Sequence, residues 1–482
     1  MPFTQPRVII GALKGGSGKT ILSLGLIAAW RDQGHQIAPF KKGPDFIDAG
    51  WLTFAAARSC HNLDSFMMSE EQILRSFFTY SHHADLTLVE GNRGLFDGMD
   101  LDGSSSTAEL AKLLKAPVIL VVDVTMATRT IAAIVKGCQA FDPGVNIVGV
   151  VLNRVAGARQ ETLITRTIER YCGLGVVGAV PRLRQNPFPE RHMGLVPHQE
   201  SDHAKKAVLW AKAIAQKNLQ LEEIWRVAQE VDLLEPSYQH QPEQHAIIGA
   251  DPPQIGFIRD KAFWFYYPEN LEQLERMGAN LVEINAVSQT ELPQVDALYV
   301  GGGFPEVQAQ ALAENQVFRA ALKLEIEKGL PVYAECGGFM YMGKRLLVDG
   351  RTYPMVGALP VDFVLEKSPQ GHGYTILEVN RSNPYYPVGQ ILKGHEFHYS
   401  RAFVTNERTA RFLFKVSRGQ GVDGRRDGMF KKNLLATYTH VHAAGNLGWA
   451  KNLFRVAVAH KTPSTRIVLQ GGQDQFSGKV GS

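Results

Sequence analysis

Arg7-Val-Ile-Ile-Gly-Ala-Leu-Lys-Gly-Gly-Ser-Gly-Lys-Thr-Ile-Leu-Ser-Leu-Gly-Leu-Ile-Ala-Ala-Trp-Arg31 decides the fold of the first half of the chain. Its apolar start, Arg7 to Leu13, reads as a strand, and Ile21 to Arg31 reads as the helix after it. Between them Lys14, Gly15, Gly16, Ser17, Gly18, Lys19 and Thr20 stand where a phosphate-binding loop must lie. Glycines let backbone N–H groups curl round phosphate oxygens, and the helix N-terminus adds a favourable dipole. Lys19 would neutralise phosphate charge, and the Thr20 hydroxyl would ligate Mg2+. The commonest spacing has glycine where this chain has Leu13, so the fit is to the variant KGGxGK[ST], with Lys14 as an additional lysine. A Gly-rich turn without a ligand is the plainer alternative, and the strand–loop–helix context disfavours it.

Working outward, Leu86 to Glu90 (LTLVE), Pro117 to Val124 and Val145 to Leu152 are short β-branched runs separated by helical patterns. Such runs are buried on both faces and imply a mostly parallel sheet covered by helices. Active residues then belong on the loops at the carboxyl ends of its strands. The stretch 235–254, rich in Pro, Gln and His, reads as a linker after a first domain over 1–234. A second α/β pattern follows over 255–460, with strands at Ile255 to Arg259, Ala297 to Val300 and Pro331 to Ala334. The polar, Gly-rich residues 461–482 read as a flexible tail.

Composition narrows the class. With 51 Lys plus Arg against 47 Asp plus Glu, the net charge of +4 is too small to argue for nucleic acid or an anionic membrane. Four scattered cysteines make no CxxC and no zinc spacing, which fits a reducing compartment. The most apolar stretch, Pro117 to Val135, contains Asp123 and Arg129 and is too polar for a membrane span. No signal peptide is evident before the first strand, so a soluble, cytoplasmic protein is expected.

Two further constellations carry chemistry. Asp45 and Asp48 in FKKGPDFID, with Glu90 at the end of its strand, offer carboxylates beside the phosphate loop for a metal or an acyl-transfer centre. In the second half, Pro331-Val-Tyr-Ala-Glu-Cys-Gly-Gly338 runs a strand into Cys336 like a nucleophile elbow. Gly301-Gly-Gly-Phe-Pro-Glu306 could offer backbone N–H donors to an oxyanion. His440 and His442 fall two apart on an extended run, so both are expected on one side, and either could serve the thiol as base. His395 and His398 in GHEFHYS are read as shaping the pocket.

Together these residues resemble the glutamine-dependent cobyrinate a,c-diamide synthase family of tetrapyrrole biosynthesis. The likeness runs from about residue 7 to 458 and rests on the phosphate loop, FKKGPDFID, EGNRGLFDG (90–98), GVVLNRV, RHMGLVP (191–197), FYYPENLEQL, GGGFPE, AECGGFMYM, GHEFHYS and THVH. It implies a P-loop, parallel-sheet synthetase domain like dethiobiotin synthetase, then a class I glutamine amidotransferase α/β domain. ATP, L-glutamine and a tetrapyrrole polycarboxylate would be the small-molecule partners, with Mg2+ as cofactor; nothing points to nucleic acid or a membrane, and a homodimer is compatible with the sequence.

Carried over by residue, Cys336 is the glutaminase nucleophile and His440 its base, with His442 beside it and Gly302, Gly303 and Gly337 around the glutamine. Asp45, Asp48, Glu90 and Asp97 surround ATP, Mg2+ and an acyl phosphate, Lys41 belongs to the nucleotide site, and Thr20, Asp45 and Glu90 would hold the metal. Arg93, Arg191 and His192 would meet the polycarboxylate, helped by Arg182 and Arg184. The chain departs from the pattern at Leu13, Lys14, Asn92 and Arg93, and no acidic residue follows the base in His440-Val-His442. The alternatives are a sirohydrochlorin-type substrate (siroheme or nickel sirohydrochlorin) and, more distantly, a MinD/ParA-like ATPase switch, which would leave a glutaminase half without purpose.

Overall fold

The β-branched runs of the first half assemble into a seven-stranded, wholly parallel sheet in the computed structural model, which describes residues 4–183, 187–188, 190–191, 194–200, 203–234 and 251–461. Its elements are β1 (Arg7–Ala12), α1 (Lys19–Asp32), β2 (Ile37–Lys42), α2 (Ile47–Ala56), β3 (His61–Leu63), α3 (Glu70–Ser81), β4 (Leu86–Glu90), α4 (Thr107–Leu113), β5 (Val118–Asp123), α5 (Thr130–Phe141), β6 (Ile147–Val155), α6 (Ala158–Cys172) and β7 (Gly175–Pro181). The strand order is β3-β2-β4-β1-β5-β6-β7. Chain order reverses at β1, so the loop after it opens into the crevice where such sheets bind ligands. One face packs Ile9, Phe40, Val89 and Leu120 against α3 to α6, and the other packs Val8, Ile10, Leu88 and Val121 against α1.

After the short pair β8 (Glu190–Arg191) and β9 (Gly194–Leu195), α7 (Ala204–Asn218) lies along α1, where Gly25 faces the Ala211 carbonyl; α8 (Leu221–Gln229) follows. Residues 235–250 of the expected linker and 462–482 of the expected tail lie outside the described residues.

The second half is not simply another parallel sheet. Parallel strands β10 (Gln254–Ile258), β11 (Asn280–Ile284), β12 (Ala297–Val300) and β13 (Val332–Glu335) are interleaved with α9 (Pro268–Arg276), α10 (Ala309–Glu314), α11 (Gln316–Lys328) and α12 (Gly337–Met342). The chain then builds β14 (Arg345–Val348), β15 (Arg351–Pro354), β16 (Val361–Leu365), β17 (Gly371–Val379), β18 (Ile391–His398), β19 (Ser400–Val404), β20 (Phe412–Arg418), β21 (Arg426–Lys431), β22 (Leu434–Thr437) and β23 (His440–Val441), ending in α13 (Trp449–Lys461). The ten-stranded sheet is ordered β11-β10-β12-β13-β22-β21-β20-β17-β18-β23; it is parallel through β22 and antiparallel beyond. The antiparallel half turns β18 and β23 back over the end of β13, which is what encloses the thiol there.

The two sheets meet through specific contacts. Tyr374 Oη donates to Asp64 (2.7 Å), Tyr267 Oη donates to the Pro44 carbonyl (3.0 Å), and His61 Nε2 lies 3.2 Å from Glu272. Phe46 stacks on Phe265 with ring centroids 4.7 Å apart. Among the described residues no helix is long and apolar enough to cross a membrane.

Candidate active site

The loop after β1 is held open by its own backbone. Gly16 and Gly18 adopt left-handed conformations, and at Gly18 a Cβ would stand 2.4 Å from Asn153 Nδ2, so glycine is required there. Asn153, on β6, donates to the Ser17 carbonyl (2.8 Å), and Arg154 donates to the Gly16 carbonyl (3.0 Å), so the strand beyond Leu152 buttresses the loop. Gly15 and Gly16 face open space, and Lys14 is exposed, its carbonyl accepting from Ser17 Oγ (2.9 Å). Lys19 is buried and donates to the Arg93 carbonyl (2.7 Å); burial and the neighbouring Lys41 lower its pKa.

Lys41 ties the acidic residues to this loop. Its ammonium lies 2.7 Å from Glu90 and 2.8 Å from Asp48, while Thr20 Oγ1 donates to Glu90 (2.8 Å) and reaches Asp48 at 3.4 Å. Burial opposes the charge of Lys41, but Asp48, Glu90 and Asp45 outweigh it and hold the proton more firmly than usual. Burial also raises Glu90, whereas at Asp48 Lys41 overrides burial and keeps the carboxylate low. Asp45 stands apart from Thr20: its Oδ1 accepts from Asp48 N (3.1 Å), and burial with Asp48 nearby pushes it up to about 7.

Among the described residues no group of three or more His, Cys, Asp or Glu forms a metal cage. Thr20, Asp48 and Glu90 nevertheless offer hard oxygens at the loop, and Glu90 Oε2 is buried without a hydrogen-bond partner. That sparse set fits Mg2+, which takes one or two carboxylates, substrate phosphates and water. It does not draw in Asp45.

Cys336 sits between β13 and α12 at φ 47°, a strained conformation for a side-chain-bearing residue and the mark of an elbow. Its thiol donates to the Phe397 carbonyl at 3.8 Å, and burial, then Glu306, pushes its pKa well up. His440 lines the same cleft. Burial and then His398 push its pKa down to about 3, so at neutral pH the ring is an uncharged proton acceptor. Gly302 is again obligatory, because a Cβ there would meet His440 Cε1 at 2.4 Å. A Cβ on Gly337 would lie 3.1 Å from the Gly303 nitrogen, which places these two glycines together beside the thiol.

His442 parts company with His440. The extended run ends at Val441, and His442 turns into the protein, with Nε2 3.5 Å from Glu269 and Nδ1 accepting from Ala444 N (3.2 Å). Of the two histidines it is His440 that lines the cleft. The acidic partner of His440 comes from elsewhere. Glu335, immediately before the thiol, lies 3.3 Å from His440 Nδ1 and also accepts from Tyr299 Oη (3.1 Å) and Val441 N (3.3 Å). Burial pushes Glu335 up to about 8. His395 packs on His440 at 5.0 Å and bonds Tyr267 Oη, whereas His398 stacks on Tyr438 and shapes the wall.

Both halves line one cleft of about 630 Å3. The first half contributes Asp45, Phe46, Arg93 and Asp97, and the second contributes Phe265, Gly303, Cys336 and His440. Asp97 Oδ2 accepts from Gly94 N (2.7 Å), and Arg93 holds φ 49°. Arg191 has its backbone in β8, and His192 and Arg184 lie outside the described residues. Sequence reasoning did not find Glu335, Asn153 or Phe265; the last stacks on His440 at 4.1 Å. Alternation along β2 could have separated Lys41 from Lys42, since neighbours on a strand point to opposite faces.

Two family profiles account for these halves. Residues 8–195 match the CobQ/CobB/MinD/ParA nucleotide binding domain, and residues 254–447 match the CobB/CobQ-like glutamine amidotransferase domain. The chain is 41% identical to a cobyrinate a,c-diamide synthase of Magnetococcus marinus, covering 94% of this chain and 98% of that protein. It is 38% identical to that of Archaeoglobus fulgidus over 96% and 99% of the two chains, and 37% identical to that of Streptococcus sanguinis over 90% and 95%.

Proposed function

The chain belongs to the cobyrinate a,c-diamide synthase family of glutamine-dependent, amide-forming ligases, and we propose that it converts two peripheral acetate carboxylates of cobyrinate, a and c, into amides using ATP and glutamine. The observation that carries this reading is the single cleft in which Cys336 and His440 share a wall with Asp45, Arg93 and Asp97.

In the glutaminase half, His440 Nε2 takes the Cys336 proton as sulfur attacks the glutamine carboxamide. Gly303 and Gly337 lie where their N–H groups can meet the oxyanion. The imidazolium returns its proton to the departing ammonia, and water then clears the thioester as glutamate. Glu335 is a positioning residue: it fixes the His440 tautomer through Nδ1 and balances the charge the ring acquires.

In the synthetase half, a carboxylate is a poor electrophile and repels nucleophiles. The macrocycle carboxylate attacks the terminal phosphorus of ATP, releasing ADP and leaving an acyl phosphate; ammonia displaces phosphate and leaves the amide. The loop from Lys14 to Thr20 cradles the phosphates and Lys19 leaves the Arg93 carbonyl to meet them. Thr20 and Glu90, with Asp48, would hold Mg2+, which supplies charge neutralisation at the transferring phosphoryl group. The shared cleft keeps the distance that ammonia must travel short.

Mass spectrometry tests the reading, since each carboxylate-to-amide exchange lowers the mass by about one dalton. Cobyrinate with ATP, Mg2+ and glutamine should lose two such units. The Cys336→Ala protein should do so only with free ammonium. Equal loss with both nitrogen donors would break the two-centre mechanism, and conversion of sirohydrochlorin or siroheme alone would replace the substrate.

A further inference from the structure

Lys42 is a largely buried cation that makes no direct ion pair among the described residues. It follows Lys41 on β2 and therefore faces the other way, off the Glu90 side and into the shared cleft. The residue is 5% exposed, and among the described residues no hydrogen-bond or ion-pair partner engages its ammonium. Burial lowers its pKa, with Asp64 opposing. Asp64 is itself committed, accepting from Tyr374 Oη and from Phe66 N and Met67 N at 2.9 Å each. An ammonium that opens into a cleft with no direct hydrogen-bond or ion-pair partner is placed to receive an incoming anion.

Two guanidinium groups line the cleft with it. Arg93 stands at φ 49°, a strained backbone position tolerated more cheaply by glycine, so the side chain is retained against a local penalty. Arg418 closes β20 from the glutaminase half, its guanidinium lying over Phe66 at 5.6 Å. The acids on the same walls accept from backbone N–H groups, Glu396 from Gly421 N (2.9 Å) and Gln420 N, Asp97 from Gly94 N (2.7 Å) and Asp45 from Asp48 N (3.1 Å), and Asp97 joins Asp64 in favouring the Lys42 charge. His372, beside Arg93, has its pKa lowered by burial and adds no fixed charge.

We infer that Lys42, Arg93 and Arg418 form a carboxylate-binding subsite that anchors the non-reacting carboxylates of the macrocyclic substrate, so that the glutaminase half contributes directly to binding the synthetase substrate. This rests on the proposed function and deepens it. Guanidinium groups grip carboxylates in two-point contacts, and Lys42 adds a compact point charge. A polyanion bridging Lys42 and Arg418 also holds the two halves together over the place where ammonia passes.

The test is equilibrium binding of cobyrinate, followed by its visible absorbance without nucleotide or glutamine, in wild type, Lys42→Met, Lys42→Arg, Arg418→Ala and Arg418→Lys. The expected result is at least tenfold weaker binding for Lys42→Met and for Arg418→Ala, with binding within about threefold of wild type for the charge-conserving pair. In turnover the neutral variants should raise the KM for cobyrinate far more than they lower kcat. Arg418 is exposed, so Arg418→Ala keeps the test alive if Lys42→Met fails to fold. Unchanged cobyrinate binding in Arg418→Ala overturns the subsite. So does a raised KM for glutamine with cobyrinate binding intact, which would make these cations a glutamine-carboxylate site. Wild-type protein that binds no cobyrinate overturns the underlying functional reading instead.

Discussion

Replacing Glu335 by Gln preserves shape and removes charge, which isolates what the carboxylate does for His440. Glu335 Oε2 is 3.3 Å from His440 Nδ1, so a hydrogen bond to a charged partner is at stake once the ring takes the thiol proton. Such bonds are worth about 1.5–3 kcal/mol, which at about 1.4 kcal/mol per decade is a loss of roughly 10- to 150-fold in the glutaminase rate. The amide can also present its NH2 to Nδ1 and select the wrong tautomer, which places the effect toward the upper end.

The pH dependence gives a second signature. Burial holds Glu335 protonated up to about 8, above its ordinary 4.5. Wild-type glutaminase should therefore rise through pH 8 as the carboxylate ionises and can balance the imidazolium, while the Cys336 thiol titrates above that window. The linked stability runs the opposite way. The native state keeps a proton that the unfolded chain releases from 4.5 upward, so stability falls as pH rises toward 8, and Gln abolishes that slope. The assay is glutamate release at saturating glutamine from pH 6 to 9.5, with ammonium-driven synthesis as the fold control. Glu335→Gln protein that keeps wild-type glutaminase and the rise near pH 8 would refute the positioning role.

Lys19→Ala should abolish amide synthesis while leaving glutamine hydrolysis measurable; unchanged ATP-dependent synthesis would remove Lys19 from the phosphate site. Lys41→Met strips Asp48 and Glu90 of their buried counter-ion and should destabilise the protein by about 3–5 kcal/mol, read as a lowered denaturant midpoint, with Lys41→Arg recovering part of it. Asp45, raised to about 7 from 3.8, stays protonated in the folded protein where the unfolded chain has released its proton, so stability should decline between those pH values and the decline should vanish in Asp45→Asn. A denaturant midpoint for Asp45→Asn with the wild-type slope would assign the titration elsewhere.

The first sheet was legible because its signals are local. A parallel strand buried on both faces announces itself as a β-branched run, and the observed bounds of β1, β4, β5 and β12 fall on the runs read from the sequence. The extension of β6 to Val155 was hidden because Asn153 and Arg154 are polar, yet both serve the phosphate loop across more than 130 residues. Cys336 and His440 could be read from glycine-flanked elbows and a short motif. Glu335 could not, because adjacency to the nucleophile says nothing about which way the carboxylate points until β23 is laid against β18 and brings His440 to it. The same holds for Lys42, whose neighbour Lys41 carries the familiar pattern while alternation turns Lys42 into the shared cleft.

The loop from Gly43 to Ile47 has two duties, and its chemistry explains why. It carries Asp45 toward the synthetase site and Phe46 away from it. Phe46 stacks on Phe265, and Phe265 stacks on the His440 ring; the Pro44 carbonyl accepts from Tyr267, whose hydroxyl also meets His395 beside that ring. Phe46, Phe265 and His440 thus form one close-packed stack that crosses from the first half to the second. Ammonia made before an acyl phosphate exists is lost to water, where it takes up a proton and its nucleophilic lone pair. An acyl phosphate made without ammonia is hydrolysed. A two-centre amidation therefore needs its centres close together, and here the base of one reaction packs, through Phe265 and Phe46, against the acidic loop of the other.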